Sequence, residues 1–221
     1  MPEEHYSTQF IADQATAWLE ARKGNPKPFL LMVSFPDPHH PFTPPGKYWD
    51  MYKPEDMPVP KAFQVKDWDP PEYVKSAERI RASDPKAGQM AGYSIAVSER
   101  EALEARALTC GMITMVDDAI GQVRQAAQDA GVWDNAVQIF TSDHGDHLGE
   151  HKLLFKGSEQ YDSLNHVPFI WSDPKGASNV KSDEIGQTHD IGTTILEHAK
   201  IEPSVGMQGV VLSVAGGEGR E

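Results

Sequence analysis

Phe140-Thr141-Ser142-Asp143-His144-Gly145-Asp146-His147-Leu148-Gly149-Glu150-His151, followed by Lys156-Gly157, is the most informative stretch of this chain. It begins where an apolar strand pattern over residues 136–140 ends, and Asp143 and His144 come directly after it. In an open α/β sheet, ligands bind outside the carboxyl ends of the strands. A carboxylate, an imidazole and a nearby ammonium at that edge therefore predict a site for a divalent cation and an anionic group.

Each of these side chains also has a simpler interpretation. Asp143 and His144 are candidate metal ligands, but an Asp at the end of a strand can instead cap backbone amides in a turn. The three histidines His144, His147 and His151 form a possible zinc triad. Gly145 and Gly149 lie between them and oppose a continuous helix there. The alternative is that one or two of these histidines only make hydrogen bonds, at the surface or to residues that ligate the metal. Lys156 is either an anion ligand or a solvated lysine.

The composition excludes some functions. The chain has 221 residues and a net charge of -13, so it lacks the basic field that attracts nucleic acid or anionic membranes. A local anionic substrate is still possible, because a metal ion and a few cationic side chains can reverse the potential. The single cysteine, Cys110, allows no disulfide within the chain, and within a helical pattern it is typical of a buried small apolar residue. No signal-peptide pattern is present, and the compartment stays undetermined.

Alternating helix and strand patterns predict an α/β fold with a mostly parallel sheet sandwiched by helices. Helices are predicted over residues 7–22, 98–129 and 188–200, the second with a Ser98/Glu101 capping box and Gly131 just past its end. Strands are predicted over residues 28–35, 136–141 and 167–171. The first is almost continuously apolar, which is typical of a strand buried on both faces.

A proline-rich segment interrupts this alternation. Ten prolines fall between residues 36 and 71, so residues 36–97 are predicted to form an irregular excursion, packed on the surface through its aromatic residues. Within it, Pro38-His39-His40-Pro41-Phe42 would hold two histidines stiffly, which suits an imidazole that contacts an anion or a leaving group. The alternative is a rigid turn that packs Phe42. Residues 216–221 are predicted to be a frayed tail.

Together these motifs resemble the sulfatase family of the alkaline phosphatase superfamily, and the resemblance runs along almost the whole chain. It is carried by residues 28–45, residues 116–121 with Asp134-Asn135, residues 141–157 and residues 190–196. The resemblance implies an alkaline-phosphatase-like fold, with residues 1–221 as a partial catalytic domain. It also implies a hydrolase of small-molecule sulfate esters, with no nucleic-acid or membrane partner.

The resemblance assigns roles to four residues. Asp143 and His144 would ligate a divalent cation, usually calcium, while Lys156 would hold a sulfate oxygen. His39 would contact the sulfate or the ester oxygen that leaves. A cation and fixed donors would stabilise the charge that develops on the departing oxygen and on the transferred group. Asp117-Asp118 is a further acidic pair, either metal-ligating or hydrogen-bonded at a helix edge.

The sequence departs from the family pattern in one respect that bears on catalysis. Neither a Cys-x-Pro-x-Arg nor a Ser-x-Pro-x-Arg segment, the source of the formylglycine nucleophile, occurs in the 221 residues. The expected N-terminal Asp-Asp pair and the smaller C-terminal subdomain are missing as well. We therefore interpret the chain as a fragment of a longer enzyme that would carry the formylglycine upstream. Such a fragment is expected to expose apolar surface, to aggregate readily and to be inactive by itself.

Two other functions remain open. The same residues suit an enzyme of this superfamily that acts on phosphonate monoesters or phosphodiesters, because sulfate and phosphate esters share a tetrahedral anion. Alternatively, the chain is a non-catalytic sulfatase remnant. The natural substrate and the oligomeric state are not determined by the sequence.

Overall fold

Helices supply most of the regular structure in the computed structural model, which describes residues 2–84 and 94–212. The chain divides into two compact units. The first contains Met1–Trp133 and His144–His166, and the second contains Asp134–Asp143 and Val167–Glu221. None of the helices in the described residues is long and apolar enough to cross a membrane.

Two helices of the first unit follow the sequence prediction closely. Helix α1 spans Ser7–Ala21, and helix α3 spans Glu99–Asp129. The predicted capping box is present: Ser98 Oγ accepts from the Glu101 amide, and the Glu101 carboxylate accepts from the Ser98 amide at 2.8 Å. Gly131 follows the end of α3 with a φ of 72°, as its predicted position requires.

Small residues on both helices allow α1 and α3 to pack closely. Leu19 of α1 joins Ala126 and Ala127 of α3 in one buried cluster, and Trp133 packs against it. Near the middle of α3, Met112 is fully buried. A buried methionine at the centre of a long helix fills an irregular space well, because its unbranched side chain is adaptable.

The sheets differ from the prediction. Strands β1 (Ile95–Ala96) and β3 (Leu153–Leu154) pair antiparallel in the first unit. Strands β2 (Gln138–Thr141) and β4 (Phe169–Ser172) pair antiparallel in the second unit, with Phe140 opposite Ile170. The two described sheets are therefore short and antiparallel, and the mostly parallel sheet is not confirmed.

The apolar run over residues 28–35 explains part of this difference. It is not a strand in the structure, and Leu30 and Met32 are 72% and 84% exposed. Leu31 and Val33, by contrast, are half-buried, which is the period-two alternation of strand geometry. The described residues provide no hydrogen-bonded neighbour for this run, and the side that carries Leu30 and Met32 is exposed.

The proline-rich segment contains several short regular elements. Single 3-10 turns occur at Gly46–Tyr48, Pro54–Asp56 and Lys61–Phe63, and Tyr48 is buried. Helix α2, Glu72–Ser83, was not predicted. Its sequence is polar and only Val74 is buried, so it lacks a clear apolar stripe.

Each compact unit contains one further helix. The four-residue helix α4 spans Asp162–Asn165 in the first unit, and helix α5 spans Thr188–His198 in the second. Helix α5 agrees with the prediction over residues 188–200. The predicted frayed tail at residues 216–221 lies outside the described residues, as do residues 85–93 of the proline-rich excursion.

Candidate functional site

The candidate site centres on a loop of the first unit that runs from His144 to Lys156 and is called the site loop below. Backbone hydrogen bonds fold it back on itself: the His147 amide donates to Phe155 O at 2.9 Å, and the Gly149 amide donates to Leu153 O at 2.8 Å. These bonds bring the end of the loop beside its beginning. Lys156 therefore lies close to the residues that follow His144.

Two glycines in the loop are required by close contacts. A Cβ atom on Gly145 would lie 2.0 Å from Ser163 O, because the Gly145 amide donates to Leu164 O at 2.8 Å. Gly149 has a φ of 96°, and a Cβ there would lie 2.7 Å from the Ala102 side chain on α3. The loop is thus packed tightly against α4 on one side and α3 on the other.

The loop also holds several non-glycine residues in left-handed backbone conformations. These are Leu148, His151, Lys152 and Phe155, with φ values of 43°, 52°, 61° and 68°. Each such residue costs of the order of 1–3 kcal/mol and persists only where surrounding contacts enforce it. Asp146 provides one such contact, because its Oδ1 accepts from the Leu148 and Phe155 amides, each at 3.0 Å.

Lys156 and the two histidines of the Pro-His-His-Pro segment meet around Phe155. The Phe155 ring packs against His40 with centroids 4.2 Å apart, and His40 stacks on His39 at 4.1 Å. Lys156 is half-buried, and its ammonium makes no hydrogen bond or ion pair with the other residues that the structure describes. The site thereby gathers three of the cationic or ionisable side chains that the sequence singled out.

The surroundings of His40 in this cluster lower its pKa. Burial lowers the pKa of His40, electrostatic interaction with His39 and with the Lys156 ammonium lowers it further, and the Asp146 carboxylate opposes them. The His40 Nδ1 atom is buried without a hydrogen-bond partner among the described residues. The positive charge of Lys156 therefore disfavours a second positive charge on His40.

Local hydrogen bonds fix the tautomers of two candidate ligands. His39 Nδ1 lies 2.6 Å from His40 O, and His144 Nδ1 lies 2.8 Å from Gly145 O. A carbonyl oxygen can only accept, so both Nδ1 atoms carry hydrogen. In its neutral form each ring then has its lone pair on Nε2, which at His144 is the atom that a metal ion would use.

Asp143 and His144, the two predicted cation ligands, fall in different compact units. Asp143 is exposed after β2, with Ser142 Oγ 3.5 Å from its Oδ1, and His144 is half-buried at the start of the site loop. These consecutive residues offer one carboxylate and one imidazole nitrogen, and calcium takes six to eight oxygen ligands. No group of three His, Cys, Asp or Glu side chains in the described part of the chain is arranged to hold a metal ion.

The zinc triad of His144, His147 and His151 is accordingly wrong. His147 is 1% exposed, its Nδ1 lies 3.0 Å from Ser163 Oγ, and burial lowers its pKa. His151 instead stacks on Tyr161, with ring centroids 4.0 Å apart. Gly149, in its left-handed conformation, breaks the helix that would have placed His147 and His151 on one face.

Asp118 is held by other residues in the first unit. It accepts from Tyr48 OH at 2.7 Å and pairs with Lys47 at 3.2 Å, and these two bonds lower its pKa. The hydrogen-bonded interpretation of the Asp117-Asp118 pair thus describes Asp118. The roles of Asp146 and Phe155 were not predicted, because the residue type of Phe155 does not indicate its left-handed backbone, and the contacts of Asp146 depend on that conformation.

Comparisons with known proteins agree with this arrangement of motifs. The family model described as Sulfatase matches residues 1–201. An arylsulfatase from Clostridium perfringens is 33% identical over 215 residues, which are 95% of this chain and 42% of the relative. The multifunctional alkaline phosphatase superfamily protein PehA of Trinickia caryophylli is 33% identical over 203 residues, which are 89% of this chain and 38% of the relative.

A solved structure gives the same result for the fold. The phosphonate monoester hydrolase of Agrobacterium radiobacter superposes with a TM-score of 0.78 at 25% identity, covering 99% of this chain and 44% of that one. The chain thus spans about two fifths of the length of the relatives it matches. Since the family match extends over most of the 221 residues, the chain belongs to the sulfatase family of the alkaline phosphatase superfamily.

Proposed function

We propose that this chain contributes the cation-binding and sulfate-binding residues of an enzyme that hydrolyses small-molecule sulfate esters. Family membership supports the reaction class. The observation that carries the proposal is the cluster around Phe155, which joins Lys156 to His39 and His40 from a distant part of the sequence. A half-buried ammonium without a described acceptor, beside two imidazoles, suits a tetrahedral anion.

Two side chains would act on the ester itself. Lys156 Nζ donates hydrogen bonds to a sulfate oxygen. The Nδ1 hydrogen of His39 is committed to the His40 carbonyl, so Nε2 is the ring atom available to the substrate. When the ring carries its second proton, Nε2 donates to the ester oxygen and supplies the proton that the leaving alcohol needs.

Asp143 and His144 would be the cation ligands in this proposal, through a carboxylate oxygen and Nε2. A bound divalent cation, calcium in most of the family by resemblance, would offset the negative charge on the sulfate and on the nucleophile. Because two protein ligands satisfy little of the calcium coordination sphere, the chain should bind calcium more weakly than micromolar. Sub-micromolar affinity in a calcium titration would contradict this assignment.

The nucleophile is a separate question. Since no formylglycine-type segment occurs in the 221 residues, we propose that the chain alone turns over no sulfate ester. Turnover of 4-nitrophenyl sulfate by the purified chain, well above a boiled control, would contradict this part of the proposal. It would also indicate that the chain contains a nucleophile other than formylglycine.

A phosphonate monoester or phosphodiester is the second candidate substrate. The superposition with the phosphonate monoester hydrolase favours it, and Lys156, His39, Asp143 and His144 suit both anions. Parallel titrations with inorganic sulfate and with methylphosphonate would rank the two. A preference for methylphosphonate of about tenfold or more would shift the proposal to phosphorus esters.

The sulfate assignment is tested by isothermal titration of inorganic sulfate into the wild-type chain and Lys156→Gln. Removing the ammonium should weaken binding by about tenfold or more, since hydrogen bonds to charged groups contribute about 1.5–3 kcal/mol. Lys47→Gln is the matched control, because Lys47 is already paired with Asp118 and the net charge changes equally. Equal affinity of Lys156→Gln and wild type would refute the assignment.

A further inference from the structure

Asp146 supports the backbone at two strained points of the site loop. One oxygen, Oδ1, accepts from the amides of Leu148 and Phe155, both at 3.0 Å. These are two of the four left-handed non-glycine residues of the loop. A conformation of this kind persists only where contacts enforce it, and a carboxylate that accepts two amides is a strong contact of that type.

Phe155 connects this carboxylate to the proposed anion site. Its amide is held by Asp146, its carbonyl accepts from the His147 amide at 2.9 Å, and its ring packs on His40 at 4.2 Å. Lys156 is the next residue along the chain. The position of Lys156 relative to His39 and His40 therefore depends on how Phe155 is held.

We propose that Asp146 is a positioning residue that fixes Phe155, and through it places the Lys156 ammonium beside the His39–His40 pair. The inference rests on the proposed function, because it assigns Lys156 to the sulfate. Asp146 itself does not contact the substrate in this proposal. It acts through the backbone, and only its oxygen acceptor, not its charge, is required.

This distinction predicts opposite results for two substitutions at the same position. Asp146→Asn keeps a carbonyl oxygen that can accept from both amides, whereas Asp146→Ala leaves two amides of strained residues without an acceptor. We call the two hydrogen bonds from the Leu148 and Phe155 amides to Asp146 the clamp. Loss of the clamp should move Lys156 by about 1 Å or less. Displacements of that size can cost about a hundredfold in function.

The test is inorganic sulfate affinity, measured by isothermal titration for wild type, Asp146→Ala, Asp146→Asn and Lys156→Gln. We expect Asp146→Ala to weaken sulfate binding by about tenfold or more and Asp146→Asn to stay within about twofold of wild type. Asp173→Ala is a matched control in the other compact unit, because Asp173 also accepts from the amide two residues ahead, at 2.8 Å. It should leave sulfate affinity unchanged.

Hydrogen exchange at individual amides tests the clamp independently of any ligand. The Leu148 and Phe155 amides should exchange at least about tenfold faster in Asp146→Ala than in Asp146→Asn or wild type. Unchanged exchange at both amides in Asp146→Ala would overturn the proposal. This result decides the question even where Asp146→Ala is too unstable for the sulfate titration. A tenfold loss of affinity in Asp146→Asn would overturn it too, since the charge would then be what matters.

The outcomes separate this proposal from the proposed function. If Lys156→Gln weakens sulfate binding and folded Asp146→Ala does not, the positioning role is wrong and the sulfate site stands. If Lys156→Gln binds sulfate as wild type does, the proposed function fails, and the proposal that rests on it is overturned as well. The positioning role is supported if Asp146→Ala shows faster exchange and weaker sulfate binding while Asp146→Asn shows neither. The proposed function is supported at the same time if Lys156→Gln also weakens sulfate binding.

Discussion

Gly145→Ala is the substitution for which the structure gives the most direct prediction. The added Cβ would lie 2.0 Å from Ser163 O and 3.0 Å from Ser163 C, whereas real Cβ contacts are essentially never shorter than 3.0 Å. The two backbone segments must therefore separate by about 1 Å. That separation also stretches the 2.8 Å hydrogen bond from the Gly145 amide to Leu164 O.

The cost follows from these two effects. Overpacking of a well-packed contact typically costs about 1–3 kcal/mol, and loss of the hydrogen bond adds about 1 kcal/mol. The free energy of unfolding should fall by about 2–4 kcal/mol. For a chain of this length, 1 kcal/mol corresponds to about 2–4 °C in Tm, so Gly145→Ala should melt about 4–16 °C below wild type.

Gly121→Ala is the matched control for this experiment. Gly121 is exposed in the interior of α3, and a Cβ there would meet nothing within 4 Å. The same chemical change should therefore raise stability by about 0.4–1 kcal/mol, through the lower entropy of the unfolded chain. Differential scanning calorimetry on the three proteins decides the question. A Gly145→Ala melting temperature equal to that of wild type would refute the close contact on which the reasoning depends.

Two further predictions concern stability. Ser98→Ala removes the capping hydroxyl that accepts from the Glu101 amide, and should lower the free energy of urea unfolding by about 0.5–2 kcal/mol; no change would mean that the box contributes nothing. His147→Gln tests the pH dependence of stability. Burial lowers the pKa of His147 in the folded chain, so below about pH 6.5 the unfolded chain binds more protons than the folded chain. The free energy of unfolding therefore falls as the pH drops towards 5. The substitution should reduce the slope of the unfolding free energy against pH by at most about 1.4 kcal/mol per pH unit. Equal slopes for the variant and wild type, in urea titrations at pH 5, 6 and 7, would contradict this prediction.

The helices were predictable because their signals are local. The Ser98/Glu101 capping box and the apolar stripe define α3 within its own residues, and the structure reproduces both. Helix α2 was missed for the same reason, since it buries only Val74 and has little stripe to detect. A helix of this chain is therefore predictable where its segment has a clear amphipathic pattern.

The sheet was not predictable to the same extent, because strand pairing depends on residues far away in the chain. Residues 28–35 have a strand-like composition, yet without a paired neighbour among the described residues they expose Leu30 and Met32. Composition indicates what a segment can pair with, not whether a partner is present.

The candidate site was also predictable only in part. The chemical types at His39, Lys156, Asp143 and His144 were identified from the sequence, and the structure brings Lys156 and the His39–His40 pair together around Phe155. Their roles stay predictions. The backbone that positions them was not foreseen, since a positive φ at Phe155 results from tertiary contacts and not from its residue type.

The length of α3 has a consequence for the order in which the first unit folds. Its own contacts are local, whereas α1 reaches it across 113 positions, from Gln9 to Gln122, and the site loop across 42, from Arg106 to Leu148. The entropy cost of closing such long loops has to be met before these contacts can form, whereas the contacts within a helix are local. We therefore expect α3 to be largely formed in the folding transition state and the site loop to form after it. Substitutions in the loop should then accelerate unfolding and leave the folding rate almost unchanged.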